Sequence, residues 1–324
     1  MPNEIDTVSA TDHAYDSTAD KATSAQTSRS YPRHFKRYFP AAQDYFDKVF
    51  AAGGSFNVGK ASQTGVEPWE ILDAHDQFFR DIDSYVGSLT SLFLFCGKTF
   101  DAIKVAAVGP DATTVTGLTA GDYNPAGDGG TGLKLGLKAD NGTGVDMSSA
   151  DTHTVLPAGN INSDSYESWG MFAGVTQEGF NTGYAIRYEN STLSQNTGLA
   201  NTYANKTFEW GTTSAATDTN TPYSGYFRGG YDSFVHGTPP YLEWKANDTG
   251  NYQEVSFTDH FGSAANSDTV RLRMCHGSGS SSVIRTAFAG VAARGLDVVD
   301  ATNFKLAFKK FLEALNDPYV TPYL

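Results

Sequence analysis

Residues 168–190, SWGMFAGVTQEGFNTGYAIRYEN, hold two short apolar-rich runs, Ser168 to Thr176 and Gly183 to Tyr188, with a turn carrying Gly and Asn between them. Short runs of this kind, rich in aromatic residues and bounded by turn residues, spell β-strands rather than helices. The same unit recurs outward in both directions. Leu133 to Lys138 precedes it; Lys206 to Trp210, Gly225 to Gly229, Tyr241 to Lys245, Gln253 to Thr258, Val270 to His276 and Val283 to Ala292 follow. Turn signals return about every ten residues, and no helices alternate with the strands. The pattern therefore predicts a mainly β fold, an antiparallel jelly-roll β-sandwich rather than a doubly wound sheet. Upstream, SLFLFC (91–96) and FDAIKVAAVG (100–109) read as two more strands. The total, about ten to twelve, is too small for the roughly sixteen strands of a double jelly-roll shell.

Helices flank the strands. In 40–52, Ala42, Tyr45, Phe46, Val49 and Phe50 recur at helical spacing before Gly53 and Gly54. Pro68 opens WEILDAHDQFFRDIDSYV, with Trp69, Leu72, Phe79, Ile82 and Val86 assigned to an apolar face and Glu70, Asp73, Asp76, Asp81 and Asp83 to a polar one. His75 is placed among those carboxylates as a solvated or lightly paired side chain. Near the C-terminus, Asp300 is a candidate cap for a helix with an apolar face of Phe304, Ala307, Phe308, Phe311, Leu312 and Leu315, stopped by Pro318. The final NDPYVTPYL is too aromatic for a solvated tail and is expected to pack on the domain or on a neighbouring subunit. The organisation read from this is a disordered or extended tail over 1–28, a helical attachment region over 29–87, and a β-sandwich domain with its C-terminal helix over 88–324.

Charge and composition narrow the function. With 36 acidic and 23 basic residues the net charge is −13, which repels nucleic-acid phosphates and anionic membranes. No nucleic-acid or membrane partner is expected, and neither a secretion signal nor a membrane span is visible. Against the acidic background, RSYPRHFKR (29–37) sets Arg29, Arg33, Lys36 and Arg37 around Tyr31 and Phe35. That segment is either a solvated helix start or a peg that docks on an acidic partner. Cys96 and Cys275 each adjoin an apolar run and read as buried small hydrophobes, with a disulfide between them left open.

Catalytic signatures are absent or out of context. GDGGTG (127–132) matches G-x-G-x-x-G, but LKLGLKAD follows it as a strand, so no helix receives a phosphate there. The seven histidines are scattered singly. Glycan-cleaving sandwiches need two carboxylates flanking the scissile bond, and Glu243 in YLEWK is read as standing alone. No enzyme is expected and no cofactor is required. Asp140, Asn141 and Asp146 form an acidic turn that could ligate calcium through oxygen, or simply a polar hairpin loop. Trp169, Tyr223, Tyr226, Tyr231, Tyr241 and Trp244 lie near Gly-rich turns, where rings stack on sugars or anchor an interface; core packing is the competing reading.

Taken in order, several segments resemble a family of virion structural proteins from tailed bacteriophages whose C-terminal part is a LamG-like, concanavalin-type jelly roll. They are DIDSYVGSLTSLFLFCGKTFDAIKVAAVGPDATTVTGL (81–118), GTGLKLGLKADNGTGVDM (130–147), SWGMFAGVTQEG and NTGYAIRYENS (168–191), and SVIRTAFAGVAARGLDVVDATNFKLAFKKFLEALNDP (282–318). The resemblance covers roughly residues 80 to 320. It implies a protein located in the virion, a homo-oligomer bound to other virion proteins on head or tail, with the sandwich displayed outward and touching host surface glycans. The alternative is a carbohydrate-binding adhesin or receptor-binding module, and a glycan hydrolase is a third reading.

Overall fold

The computed structural model describes residues 37–57, 66–126, 134–139, 143–146, 169–177, 183–190, 196–202, 207–210, 213–217, 224–231, 240–246, 253–256, 270–277, 284–292, 298–317, 320, 321 and 324. Two helices come first. Pro40–Ala51 (α1) starts on a proline, which has no amide to leave unbonded and a backbone angle already helical, and it buries Ala42, Tyr45, Phe46 and Val49. Gly53, at φ 80°, ends it in a conformation that a side chain would strain.

Pro68–Ile82 (α2) begins with a reciprocal cap, in which the Glu67 amide donates to Glu70 Oε2 at 2.7 Å. Its buried stripe is Ile71, Leu72, Ala74, His75, Asp76, Phe78, Phe79 and Ile82. Three assignments from sequence are corrected here. Trp69 is 49% exposed, and His75 and Asp76 are buried rather than on the solvated face. The helical wheel explains His75: it stands three residues after Leu72 and four before Phe79, at the centre of the stripe.

The strands follow in the order β1 (Leu89–Leu94), β2 (Thr114–Thr116), β3 (Tyr123–Asn124), β4 (Gly136–Ala139), β5 (Gly144–Asp146), β6 (Trp169–Gln177), β7 (Gly183–Asn190) and β8 (Asn196–Thr202). β9 (Thr207–Trp210), β10 (Thr213–Thr217), β11 (Ser224–Tyr231), β12 (Pro240–Ala246), β13 (Gln253–Ser256), β14 (Val270–Gly277) and β15 (Ile284–Ala292) complete them before the last helix, α3 (Val298–Ala314). The helix begins before Asp300, so that residue lies inside it and is not its cap. FDAIKVAAVG is not a strand. Phe100–Ala102 forms a single 3-10 turn, and the rest is a loop that buries Ile103, Val105 and Ala106 and whose one bridge joins Val108 to Leu92. An unbroken apolar run specifies burial but not conformation.

The strands form two antiparallel sheets. The first has the order β13-β12-β11-β6-β15-β4-β3, with β1 also paired to β15; the second runs β10-β9-β8-β7-β14-β5-β2. The fold is mainly β, with helices at both ends. β15 is the hinge of the first sheet: β6 covers one edge, while β4 and β1 share the other.

The centre of that sheet repeats one tripeptide in opposed directions. Phe172-Ala173-Gly174 of β6 faces Gly290-Ala289-Phe288 of β15, so each ring stands opposite a glycine. A Cβ on Gly174 would come within 2.4 Å of Phe288 Cε1, and one on Gly290 within 2.3 Å of Phe172 Cζ. The glycines make room for the rings to lie across the neighbouring strand.

α3 lands on those rings. Phe308 stacks on Phe288 with centroids 3.7 Å apart, and Phe304 meets Phe172 edge-on at 4.8 Å. Phe78 of α2 in turn packs on Phe308 and Phe311. Helices and first sheet thus share one hydrophobic core, which also takes in Tyr226, Val320 and Leu324. Of the last residues, Asp317, Val320, Thr321 and Leu324 are described and buried: Asp317 accepts from the amides of Val320 at 2.8 Å and Thr321 at 3.1 Å. Among the described residues, no helix is long and apolar enough to cross a membrane.

Candidate functional site

Three groups of residues were candidates from sequence, and the structure treats them differently. Of the docking segment, only Arg37 is described, and it is exposed; Arg29, Tyr31, Arg33, Phe35 and Lys36 lie outside the described residues. The point where that segment joins the fold is well defined. The Phe39 amide donates to Asp76 Oδ1 at 2.5 Å, Arg80 Nε reaches Asp76 Oδ2 at 3.1 Å, and the Arg80 guanidinium lies 5.3 Å from the centre of the Phe39 ring. A buried carboxylate needs such donors, and here they come from the incoming chain and from the next helical turn.

Of the aromatic candidates, Tyr226 is corrected: it is 1% exposed and packs on Phe288 and beside Lys305, so it is a core residue. Tyr223 lies outside the described residues, as do the side chains of Trp169, Tyr231, Tyr241 and Trp244. Their backbone positions are informative. Trp169 stands directly opposite Tyr231, and Tyr231 opposite Pro240, so these positions form one cross-strand row at an end of the first sheet. Tyr241 adjoins the row, whereas Trp244 sits further along, opposite Phe227. Glu243, read from sequence as isolated, stands in register with Arg228 on one side and Glu254 on the other.

Of the acidic turn, Asp140 and Asn141 lie outside the described residues, and Asp146 is in β5, opposite Arg273. No group of three metal-ligating side chains occurs among the described residues.

Sequence reasoning missed a buried ionisable cluster beneath α1 and α2. The turn after β1 carries Cys96, Gly97 and Lys98. Lys98 is fully buried, and its ammonium donates to Val105 O at 2.7 Å beside the Tyr45 ring, 5.1 Å from its centre. Burial pulls its pKa down from 10.5 to about 7, against the opposing influence of Cys96 and Asp111. His75 is held down at about 3, chiefly by burial; the Ile71 carbonyl resists this and Lys98 reinforces it. Burial also pushes up the Tyr45 and Tyr123 hydroxyls and the Cys96 thiol. Every one of these groups is thereby driven toward its neutral form. The only sequence signal was the position of His75 on the wheel; nothing about Lys98 announces its burial.

The cysteines are not paired. Cys96 is free and buried in the core under the helices, and Cys275, in β14, is free with its thiol donating to Leu137 O at 2.9 Å. Cys275 adopts φ 49°, a left-handed conformation unusual for a residue with a side chain, and burial pushes its thiol up to about 12.

No family model matches the chain, and no curated protein matches it. Among solved structures it is similar to the receptor-binding domain of a botulinum neurotoxin C/D mosaic serotype, at 10% identity and a TM-score of 0.43, over 72% of this chain and 55% of that one. It is also similar to Trypanosoma rangeli sialidase, at 9% identity and a TM-score of 0.39, over 76% of this chain and 40% of that one. An α-L-arabinofuranosidase gives 10% identity and a TM-score of 0.30, over 56% of this chain and 41% of that one. The chain thus spans about half the length, 55%, of the neurotoxin domain it matches.

Proposed function

We propose that this protein is a non-catalytic recognition module, a LamG-like jelly roll that binds surface glycans and is carried on a larger assembly, a virion in the first instance, by the residues before Tyr38. The jelly-roll reading is supported by the path of the chain. β4, β5, β6 and β7 alternate between the two sheets, β8 to β10 and β11 to β13 extend them outward, and β14 and β15 return to the two centres. The observation that carries the binding reading is the row Trp169, Tyr231 and Pro240 at one end of the first sheet. It brings two of the aromatic candidates into register on neighbouring strands, with Tyr241 next in sequence, and aromatic rings are the side chains on which sugars stack.

A glycan array tests this directly. The intact chain is expected to bind at least one glycan class, and Trp169→Ala and Tyr231→Ala to weaken that binding by about tenfold or more, while Trp244→Ala leaves it within about twofold. Failure of the intact chain to bind any glycan would remove the sugar from this reading.

The attachment half is supported by a different observation, the fastening of Phe39 by Asp76 and Arg80. The fold has its own clasp at the point of entry, two residues after Arg37. Removing residues 1–36 is expected to shift the melting temperature by less than about 2 °C and to abolish co-sedimentation with assembled particles. A truncated chain that still sediments with particles would relocate the attachment to the domain itself.

A further inference from the structure

We propose that the junction of α2 with the Cys96–Lys98 turn is an acid-operated latch, in which protonation of His75 frees α1 and α2 from the first sheet while the sheet stays folded. His75 Nδ1 lies 2.8 Å from Ile71 O, and a carbonyl only accepts, so Nδ1 carries the hydrogen and Nε2 presents a lone pair. That Nε2 is buried without a hydrogen-bond partner and faces Gly97, where a Cβ would come within 3.0 Å of it. The imidazole is walled by Tyr45 at 5.7 Å, Phe46 at 6.1 Å and Phe56 at 5.0 Å, and by Phe311 of α3 at 4.7 Å. It therefore joins α1, α2, α3 and the turn at a single point.

The groups facing this point offer nothing to a second cation. From α1 comes the Tyr45 phenol, which has no hydrogen-bond partner, and from the turn the neutral Cys96 thiol and, at acid pH, the Lys98 ammonium; Tyr123 of β3 also faces the turn. The carboxylates nearest the cluster are engaged elsewhere. Asp111 is exposed and accepts from the Ala106 amide at 2.9 Å, while Asp317 holds the amides of Val320 and Thr321. A proton on Nε2 creates an N–H without an acceptor and a charge beside the Lys98 ammonium, in a space closed to water. Opening α1 and α2 returns the imidazole to solvent, where it accepts the proton at its ordinary affinity.

The sheet has no such weakness. β15 is paired along both edges and carries no histidine, and the pairing of β15 with β6 does not involve α1 or α2. Among the described residues the polar ties between the two regions are few: a reciprocal clasp in which the Thr99 amide donates to Ser55 O at 2.8 Å and the Ser55 amide to Thr99 Oγ1 at 3.0 Å, and a solvent-facing ion pair from Lys310 of α3 to Asp81 of α2 at 3.1 Å; the rest is side-chain packing, so the regions can separate.

Hydrogen exchange of the full chain at pH 7.5 and 4.5, corrected for intrinsic rates, tests the latch. The open form takes up the His75 proton near pH 6.5, so protection of amides in 40–56 and 68–82 is expected to fall about a hundredfold at pH 4.5, with 284–292 changing less than about threefold. His75→Phe, which fills the same space and cannot be protonated, is expected to lose most of that fall. Unchanged helix protection, an equal fall in β15, or the same fall in His75→Phe would each overturn the proposal. If His75→Phe does not fold, an NMR titration of His75 in the natural chain decides. An imidazole that stays neutral until the helices open supports the latch, and one that titrates near 6.5 with the helices still protected overturns it.

Discussion

Phe308→Ala is expected to lower the free energy of unfolding by about 4 kcal/mol, and to do so in one cooperative transition seen alike by fluorescence and far-ultraviolet circular dichroism. Phe308 is fully buried and meets three other rings besides the one it stacks on: Phe78 at 4.9 Å, Phe304 at 4.8 Å and Phe172 at 6.1 Å. Its ring is the common contact between α2, α3 and the two central strands of the first sheet. Truncation leaves a cavity that none of those elements can close alone, because each is held by the others. Urea titration at neutral pH gives the number. Two separated transitions at this pH, with only the helical one displaced, would mean that the helices part from the sheet even while His75 is neutral.

Lys98→Met is expected to act in the opposite direction, raising stability by about 2–3 kcal/mol at pH 6. The folded protein holds the Lys98 ammonium at a pKa of about 7, below the 10.5 of an exposed lysine. Between those values the unfolded chain binds a proton that the folded chain releases, so the penalty is complete below pH 7 and fades as pH rises toward 10.5. Methionine fills the same volume with no charge, at the loss of one hydrogen bond to Val105 O. The advantage of the variant is therefore expected to shrink between pH 6 and pH 9.5. Ionisation of the Cys96 thiol in the unfolded chain, which weakens folding above about pH 9, is common to both proteins and cancels in the difference. Denaturant titrations at the two pH values supply the comparison. A variant destabilised equally at both would show the amine to be a needed structural donor.

The parts of this fold that were legible from sequence are those governed by local periodicity. The strand runs around 168–190, 224–231, 240–246 and 270–292 emerge within a residue or two of their expected bounds, because each is set off by glycine or polar turns. NTGLANT (196–202) and TSAAT (213–217) are strands without a sequence signal, since small and polar residues give no apolar pattern; they pair with β7 and β9. FDAIKVAAVG departs for the converse reason: its apolar residues are buried without strand pairing, in a 3-10 turn and a loop whose Val105 carbonyl accepts from Lys98 Nζ.

The candidate site was less legible. Tyr226 looked exposed because strand sequence alone does not say which face a helix will cover. His75 looked solvated because five acidic neighbours along the chain outweighed its place on the wheel. Burial of that kind is decided by tertiary packing, which neither charge nor spacing encodes.

The ring-on-glycine match at the centre of the first sheet sets the order in which the protein can be made. Gly174 and Phe288 are opposite one another in space but separated by much of the chain, and β15 supplies the pairing edge for β6, β4 and β1 alike. Loop closure over such a span is slow, and it has to wait for the partner strand to be synthesised. During translation β6 therefore leaves the ribosome with one edge open, and the two halves of the sheet have nothing to join them until residues beyond 292 have emerged. α3 follows at once and seals the rings. A ribosome that stalls before β15 thus releases open strand edges, the form in which a chain of this kind is most exposed to aggregation.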